Sequence, residues 1–93
     1  MPHYFIDTHD GERHLRDEDG IDLPGSWWAC NEAVRILPGI ARDLLSDGDP
    51  LQYGGQRDLV ATVRDERDQA LFRATFSLST EWLVPDPAPS RAE

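Results

Sequence analysis

Apolar and polar residues alternate with a period of two near the N-terminus, and this period predicts a β-strand over residues 2–8. Tyr4 and Ile6 fall on one face of this strand, while His3 and Asp7 fall on the other. A strand with one apolar and one polar face packs its apolar side against the rest of the domain. We therefore expect Tyr4 and Ile6 to contribute to the core.

A tight turn follows this strand. Asp10-Gly11 is the dipeptide most typical of a two-residue hairpin turn, because both central positions of that turn favour positive φ. The turn predicts a second short strand over residues 13–16 and places His9 opposite Glu12 and Asp7 opposite His14. Residues 17–20, Asp-Glu-Asp-Gly, then indicate another turn before an extended lead-in over residues 21–25.

The middle of the chain changes to a helical period. Ser26 is a suitable N-cap, and the apolar spacing predicts a helix from Trp27 to about Leu45. Pro38 removes a backbone hydrogen bond within it, so we expect one kinked helix or two coaxial pieces. Its buried stripe is predicted to comprise Cys30, Ala33, Val34, Leu37, Ala41 and Leu44.

The C-terminal part returns to alternation after a loop predicted over residues 46–57, which is rich in Gly, Asp and Pro. Strands are predicted over residues 59–64 and from residue 70 to about residue 83, joined by a loop at residues 65–69. Residues 84–93 contain three prolines and little apolar material, which predicts a disordered tail.

This element order predicts one α+β domain over residues 1–83, built as ββαββ. A four-stranded antiparallel sheet would carry one kinked helix packed on one face. We expect the two hairpins to lie side by side, with the first and last strands central. The predicted core joins the helix stripe to Tyr4, Ile6, Leu15, Ala61, Val63, Phe72, Ala74, Phe76 and Leu78.

Composition narrows the classes of function. The 93-residue chain has nine arginines, no lysine and 18 acidic residues, for a formal net charge of −9. A surface that binds nucleic acid or an anionic membrane must neutralise phosphates with Lys and Arg, so this balance argues against both partners. The chain has no apolar run of the roughly 18 residues that a membrane-spanning helix needs. It also lacks the pattern of a signal peptide, and its one cysteine, Cys30, suits a reducing cytoplasm.

Several motifs together resemble a known family. They are Tyr-Phe-Ile-Asp at residues 4–7, His-Asp-Gly at 9–11, Asp-Glu-Asp-Gly at 17–20, Leu23, an alanine-containing helix and a closing valine-rich hairpin. This set is similar to a family of short bacterial proteins, common in alphaproteobacteria, that is described as a domain of unknown function. The resemblance covers residues 2–83, although Trp27-Trp28 at the helix start and Pro38-Gly39 depart from the family pattern. It implies a cytoplasmic bacterial protein and no particular activity.

The first hairpin offers the best candidate for a metal site. In the predicted register Asp7, His9, Glu12 and His14 share one face, and two imidazoles with two carboxylates can hold a divalent ion such as zinc or nickel. The alternative is an ordinary solvated polar face, which needs no ion.

The sequence signals for other functional sites are weaker than the signal for this metal site. Residues 17–22 resemble a calcium loop but lack its ligand spacing, and turn formation explains them equally well. Cys30 lies near a helix start, which can lower a thiol pKa, but its place in the apolar stripe favours a core role. The chain has no nucleophile elbow and no phosphate-binding loop, so we expect no enzyme activity and no cofactor.

The remaining hypothesis is a protein-interaction or regulatory module that pairs with a second copy of itself. Trp28 is predicted to point away from the buried stripe, and the alternative is that it covers the lead-in over residues 21–23 or the C-terminal tail. Val60 belongs to a strand that is apolar on both faces, and we expect this strand at a sheet edge. Two alternatives stay open: an acidic, antitoxin-like partner of a basic protein, and a weak metal-binding protein that uses the N-terminal hairpin.

Overall fold

The computed structural model describes residues 1–46 and 55–85. Their elements follow the order β1 (His3–His9), β2 (His14–Leu15), β3 (Ile21–Asp22), α1 (Ser26–Ser46), β4 (Gly55–Arg64) and β5 (Ala70–Thr80). The predicted α+β class and ββαββ order are confirmed, with β3 added where an extended lead-in was expected. Most of the predicted tail, residues 86–93, lies outside the described residues, as do residues 47–54 of the predicted loop. β4 begins at Gly55, before the predicted end of that loop at residue 57.

The sheet is antiparallel, with the spatial order β2-β1-β4-β5, and β3 pairs with the other end of β1. The first strand is central, as expected, but the prediction that the last strand is central is wrong. β4 lies between β1 and β5, so β5 is an edge strand. Alternation reveals which side chains share a face, and it carries no information about which strands are neighbours.

The outer side of β1 is closed by two short strands and one side chain. β2 pairs with Thr8 and His9, and β3 pairs with His3 and Tyr4. Between them the Asp17 carboxylate accepts the backbone N–H of Ile6 at 3.0 Å, which is where a neighbouring strand would present a carbonyl oxygen.

The turn between β1 and β2 differs from the prediction. The Asp10 carboxylate accepts the amides of Glu12 and Arg13 at 2.9 and 2.7 Å, which produces a four-residue loop. As a result His9 lies opposite His14, and Thr8 lies opposite Leu15. The predicted two-residue turn, with His9 opposite Glu12, is therefore wrong.

Helix α1 runs through Pro38 as one element and covers one face of the sheet. We call this the helix face, and the opposite side the open face. The buried cluster comprises Tyr4, Ala29, Ala33, Leu37, Leu59, Ala61 and Val63, with Ile6, Leu23, Ile40, Ala41, Leu44, Phe72 and Ala74 packed against it.

The helix stripe is rotated from the predicted one. Ala29 and Ile40 face the sheet, whereas Val34 is 50 % exposed and Cys30 is half-buried. Alanine is a weak hydrophobic signal, so the bulkier Cys30 and Val34 drew the predicted stripe to the wrong side of Ala29 and Ala33. Leu15 and Phe76, also predicted as core, are exposed, and Leu59 is a core residue that the prediction omitted.

Candidate interaction site

Strand β5 presents an open edge. Among the described residues it pairs with β4 alone, along the full register from Gly55–Thr80 to Arg64–Ala70. Its eleven residues include one charged side chain, Arg73, and no proline. Leu71 is 42 % exposed on the open face and Phe76 is 37 % exposed on the helix face. The edge therefore combines a long backbone side that no described strand pairs with and exposed apolar side chains.

An ion network of Asp7, Arg64 and Asp17 links β1, β4 and the chain between β2 and β3. Arg64 donates from Nε to the Asp7 carboxylate at 2.8 Å and from Nη2 to the Asp17 carbonyl oxygen at 2.7 Å. Its guanidinium lies 4.4 Å from the centre of the Phe5 ring. The backbone N–H of Asp17 donates to Asp7 at 2.8 Å, which ties the chain between β2 and β3 to the open face.

These contacts stabilise the ionised carboxylates. Burial by itself would raise the pKa of Asp7, but the hydrogen bonds from Arg64 and from the Asp17 amide outweigh it and lower that pKa. Burial likewise opposes ionisation of Asp17, whose pKa is nevertheless lowered by the amides of Gly20, Ile6 and Asp19 and by the charge of Arg64. Hydrogen bonding to Asp7 raises the pKa of Arg64. We interpret the network as structural, because its charged groups already form hydrogen bonds within the chain.

His3 fastens β3 to β1. Its Nδ1 lies 2.5 Å from the Asp22 carboxylate and its Nε2 lies 2.8 Å from the carbonyl oxygen of Asp19. Both partners are acceptors, so the protonated ring with two N–H groups satisfies both contacts. The hydrogen bond to Asp22 is the main reason why the pKa of His3 is raised.

The structure brings together two of the four predicted metal ligands. The rings of His9 and His14 face each other with centroids 5.9 Å apart. Asp7 is held by Arg64, and Glu12 lies in the turn rather than opposite His9. The Nδ1 atom of His9 accepts the N–H of Gly11 at 2.9 Å. Within residues 1–46 and 55–85, no group of three or more metal-ligating side chains is found.

Two tryptophans form an exposed pair at the start of α1. The rings of Trp27 and Trp28 meet edge to face with centroids 4.9 Å apart, and both side chains are at least half exposed. Trp28 is 51 % exposed, which agrees with one of the two alternatives predicted for it. This pair forms a second apolar surface in addition to the β5 edge.

A groove of about 240 Å³ separates the C-terminal half of α1 from the first hairpin. Leu15, Leu37 and Leu44 line its apolar part, and Arg13 and Asp43 lie among its polar residues. The groove accounts for the exposure of Leu15, because the helix does not close against β2.

The expected edge position of Val60 is wrong. It lies in β4 between His9 of β1 and Thr75 of β5, so its backbone is paired on both sides. Among the arginines of the last two strands, Arg57 donates to the Asp10 carbonyl oxygen and Arg64 belongs to the ion network. Arg73 is the one that lies on the edge strand.

Sequence reasoning missed the role of Arg64. The available signals were an aspartate, Asp7, on the polar face of the first strand and an arginine at the end of a valine-containing strand. Recognising them as partners requires knowing that β1 and β4 are adjacent.

These features define the class of the protein: a small α+β domain with one helix on an antiparallel sheet, whose β5 edge is open as far as residues 1–46 and 55–85 show. The chain belongs to the family described as domain of unknown function DUF6894, whose model matches residues 3–77. Comparison with curated proteins and with solved structures gave no match. No described helix is both long enough and apolar enough to cross a membrane.

Proposed function

We propose that this domain is a protein-interaction module that pairs with a second copy of itself by strand addition at β5. The observation that carries the proposal is the edge position of this eleven-residue strand, which pairs within the described chain with β4 alone. An unpaired edge offers a row of N–H and C=O groups that another strand can satisfy.

The composition of β5 favours pairing over protection. Edges that remain solitary are commonly short, charged, interrupted by proline or distorted by bulges. β5 is long, carries one charge, and has its register irregularity at its beginning, opposite Val63 and Arg64. Its exposed Leu71 and Phe76 would gain burial from a neighbouring strand.

Charge explains why this edge suits a second copy. Each chain has a formal net charge of −9, which opposes association most strongly at low salt. β5 contains no acidic residue and one arginine, so contact at this strand avoids placing acidic strand residues opposite each other. We expect dimerisation to strengthen as salt is raised from a low concentration.

Light scattering coupled to size exclusion tests the proposal. The expected result at micromolar concentration and moderate salt is twice the chain mass of 10.5 kDa. Hydrogen exchange supplies the location, because amides of β5 that do not bond to β4 should gain protection as the protein concentration rises. A monomer at every concentration, without such protection, would refute self-association.

Two lysine variants separate the edge from general charge effects. Thr75→Lys places a charge at an exposed position in the middle of the edge strand β5. We expect it to shift the measured mass towards that of the monomer. Gln69→Lys adds the same charge in the loop before β5 and should leave the dimer intact. Equal behaviour of the two variants would contradict pairing through this edge.

The Trp27–Trp28 pair supports an additional contact with a different protein. Exposed tryptophans are enriched in interaction hot spots. Trp28→Ala should leave the dimer unchanged and reduce binding of a separately identified partner in a pull-down. Loss of the dimer in this variant would assign the tryptophan pair to self-association instead.

A further inference from the structure

We infer that the two β5 strands pair antiparallel about a two-fold axis at Ser77, with Arg73 of each copy opposite Glu81 of the other. The inference rests on the proposed self-association and specifies its register. In such a pair, residues equally distant from the axis along the strand lie opposite each other on the same face of the sheet.

The charged residues select this register. Arg73 lies within β5, and Glu81 immediately follows the strand and is exposed. Arg73 belongs to the open face, and Glu81 shares that face when the strand continues by one residue beyond Thr80, because side chains alternate along an extended strand. An axis at Ser77 brings them directly opposite, and symmetry makes the ion pair twice. An axis at Arg73 would instead place two arginines opposite each other, which is unfavourable.

The apolar residues agree with the same register. Phe76 and Leu78 both lie on the helix face, since they pair with Leu59 and Arg57 of β4. An axis at Ser77 puts Phe76 of one copy opposite Leu78 of the other, again twice. The partly exposed Phe76 thereby gains an apolar neighbour across the β5 edge, on the side away from β4.

At the axis, Ser77 is small, and its hydroxyl donates to Asp58 of its own chain at 2.8 Å.

A charge-swap experiment tests the register. Arg73→Glu makes both positions acidic, and Glu81→Arg makes both basic, so each variant alone should dimerise about tenfold or more weakly than the parent. A mixture of the two variants restores both opposite-charge pairs. We expect native mass spectrometry of that mixture to show the heterodimer in excess over both homodimers.

Matched controls remove the effect of net charge. Arg67→Glu and Glu18→Arg carry the same charge changes at exposed positions outside the predicted contacts. Their mixture should give the statistical proportions of homodimers and heterodimer, apart from long-range attraction that disappears at high salt. Circular dichroism should show that all four variants remain folded.

The outcomes distinguish the register from the proposed function. A parent dimer whose single swaps dimerise normally, or whose mixture matches the controls, would overturn the Ser77 register and leave β5 pairing intact. A parent protein that is monomeric would overturn both. Restored dimerisation in the double variant Arg73→Glu/Glu81→Arg would support the register independently, because it reverses each ion pair.

Discussion

Arg64 donates to Asp7 at 2.8 Å across two adjacent strands, and both side chains are only 10 % exposed. A buried charge that loses its partner is strongly destabilising. We expect Asp7→Asn to lower the free energy of unfolding by about 3–5 kcal/mol. Asp58→Asn, at an exposed position on β4, should cost about 0.5 kcal/mol or less. Chemical denaturation measures both, and equal losses would show that the ion network contributes no special stability.

The two contacts of His3 predict a pH-dependent attachment of β3. The pKa of His3 is raised on folding, so its contribution to stability is complete below the unfolded value of about 6.5. That contribution is lost as the pH rises through the folded pKa. The stability difference between the parent and His3→Gln should therefore be larger at pH 5 than at pH 9, whereas a constant difference would contradict this assignment. His14→Gln, outside these contacts, serves as the control.

Two glycines should respond to alanine with opposite signs. Gly20 has φ of 69°, and an added Cβ would lie 2.7 Å from the carbonyl oxygen of Tyr4. Gly20→Ala should cost about 1–3 kcal/mol. At Gly39, in the exposed middle of α1, an added Cβ meets none of the described atoms within 4 Å. Gly39→Ala should gain about 0.5–1 kcal/mol, as measured by thermal unfolding. Stability changes of the same sign in both variants would contradict the backbone conformations described for Gly20 and Gly39.

The helix orientation is tested by Leu37 and Val34. Leu37 is 3 % exposed, so Leu37→Ala should cost about 2–5 kcal/mol. Val34 is 50 % exposed, and Val34→Ala should change stability by about 0.5 kcal/mol or less. Denaturant titration of the two variants gives the comparison directly. A larger loss of stability in Val34→Ala than in Leu37→Ala would support the buried helix stripe that was predicted from the sequence.

Zinc should bind no tighter than micromolar. His9 and His14 face each other, but Arg64 holds Asp7, and protein zinc sites use at least three protein ligands. Isothermal titration calorimetry measures the affinity. A stoichiometric nanomolar site that His14→Ala abolishes would overturn this expectation and support the metal-binding hypothesis.

The sequence predicted elements better than it predicted their neighbours. The alternation in β1, β4 and β5 identified the strands, and helical spacing identified α1, because both periods are local properties. The register of the first hairpin was missed because the Asp10 carboxylate binds two amides and lengthens the turn.

The candidate site depended on information that is not local. We expected β5 in the centre of the sheet and the strand of Val60, β4, at its edge, but the structure has β4 in the centre and β5 at the edge. Strand order depends on contacts between distant segments, which local patterns do not reveal. The partnership of Asp7 with Arg64 has the same origin. Trp28, by contrast, is exposed, as one of the two alternatives drawn from local helical spacing predicted.

The closure of β1 by β2, Asp17 and β3 limits what strand addition can build. A sheet with two free edges can accept new copies at both sides and grow into a fibre. β5 is the long edge that the described chain leaves without a second strand partner, and in the proposed dimer each copy uses this edge to pair with the other. The Asp17 carboxylate occupies the position from which a further strand would bond to Ile6, so we expect the proposed assembly to stop at two copies.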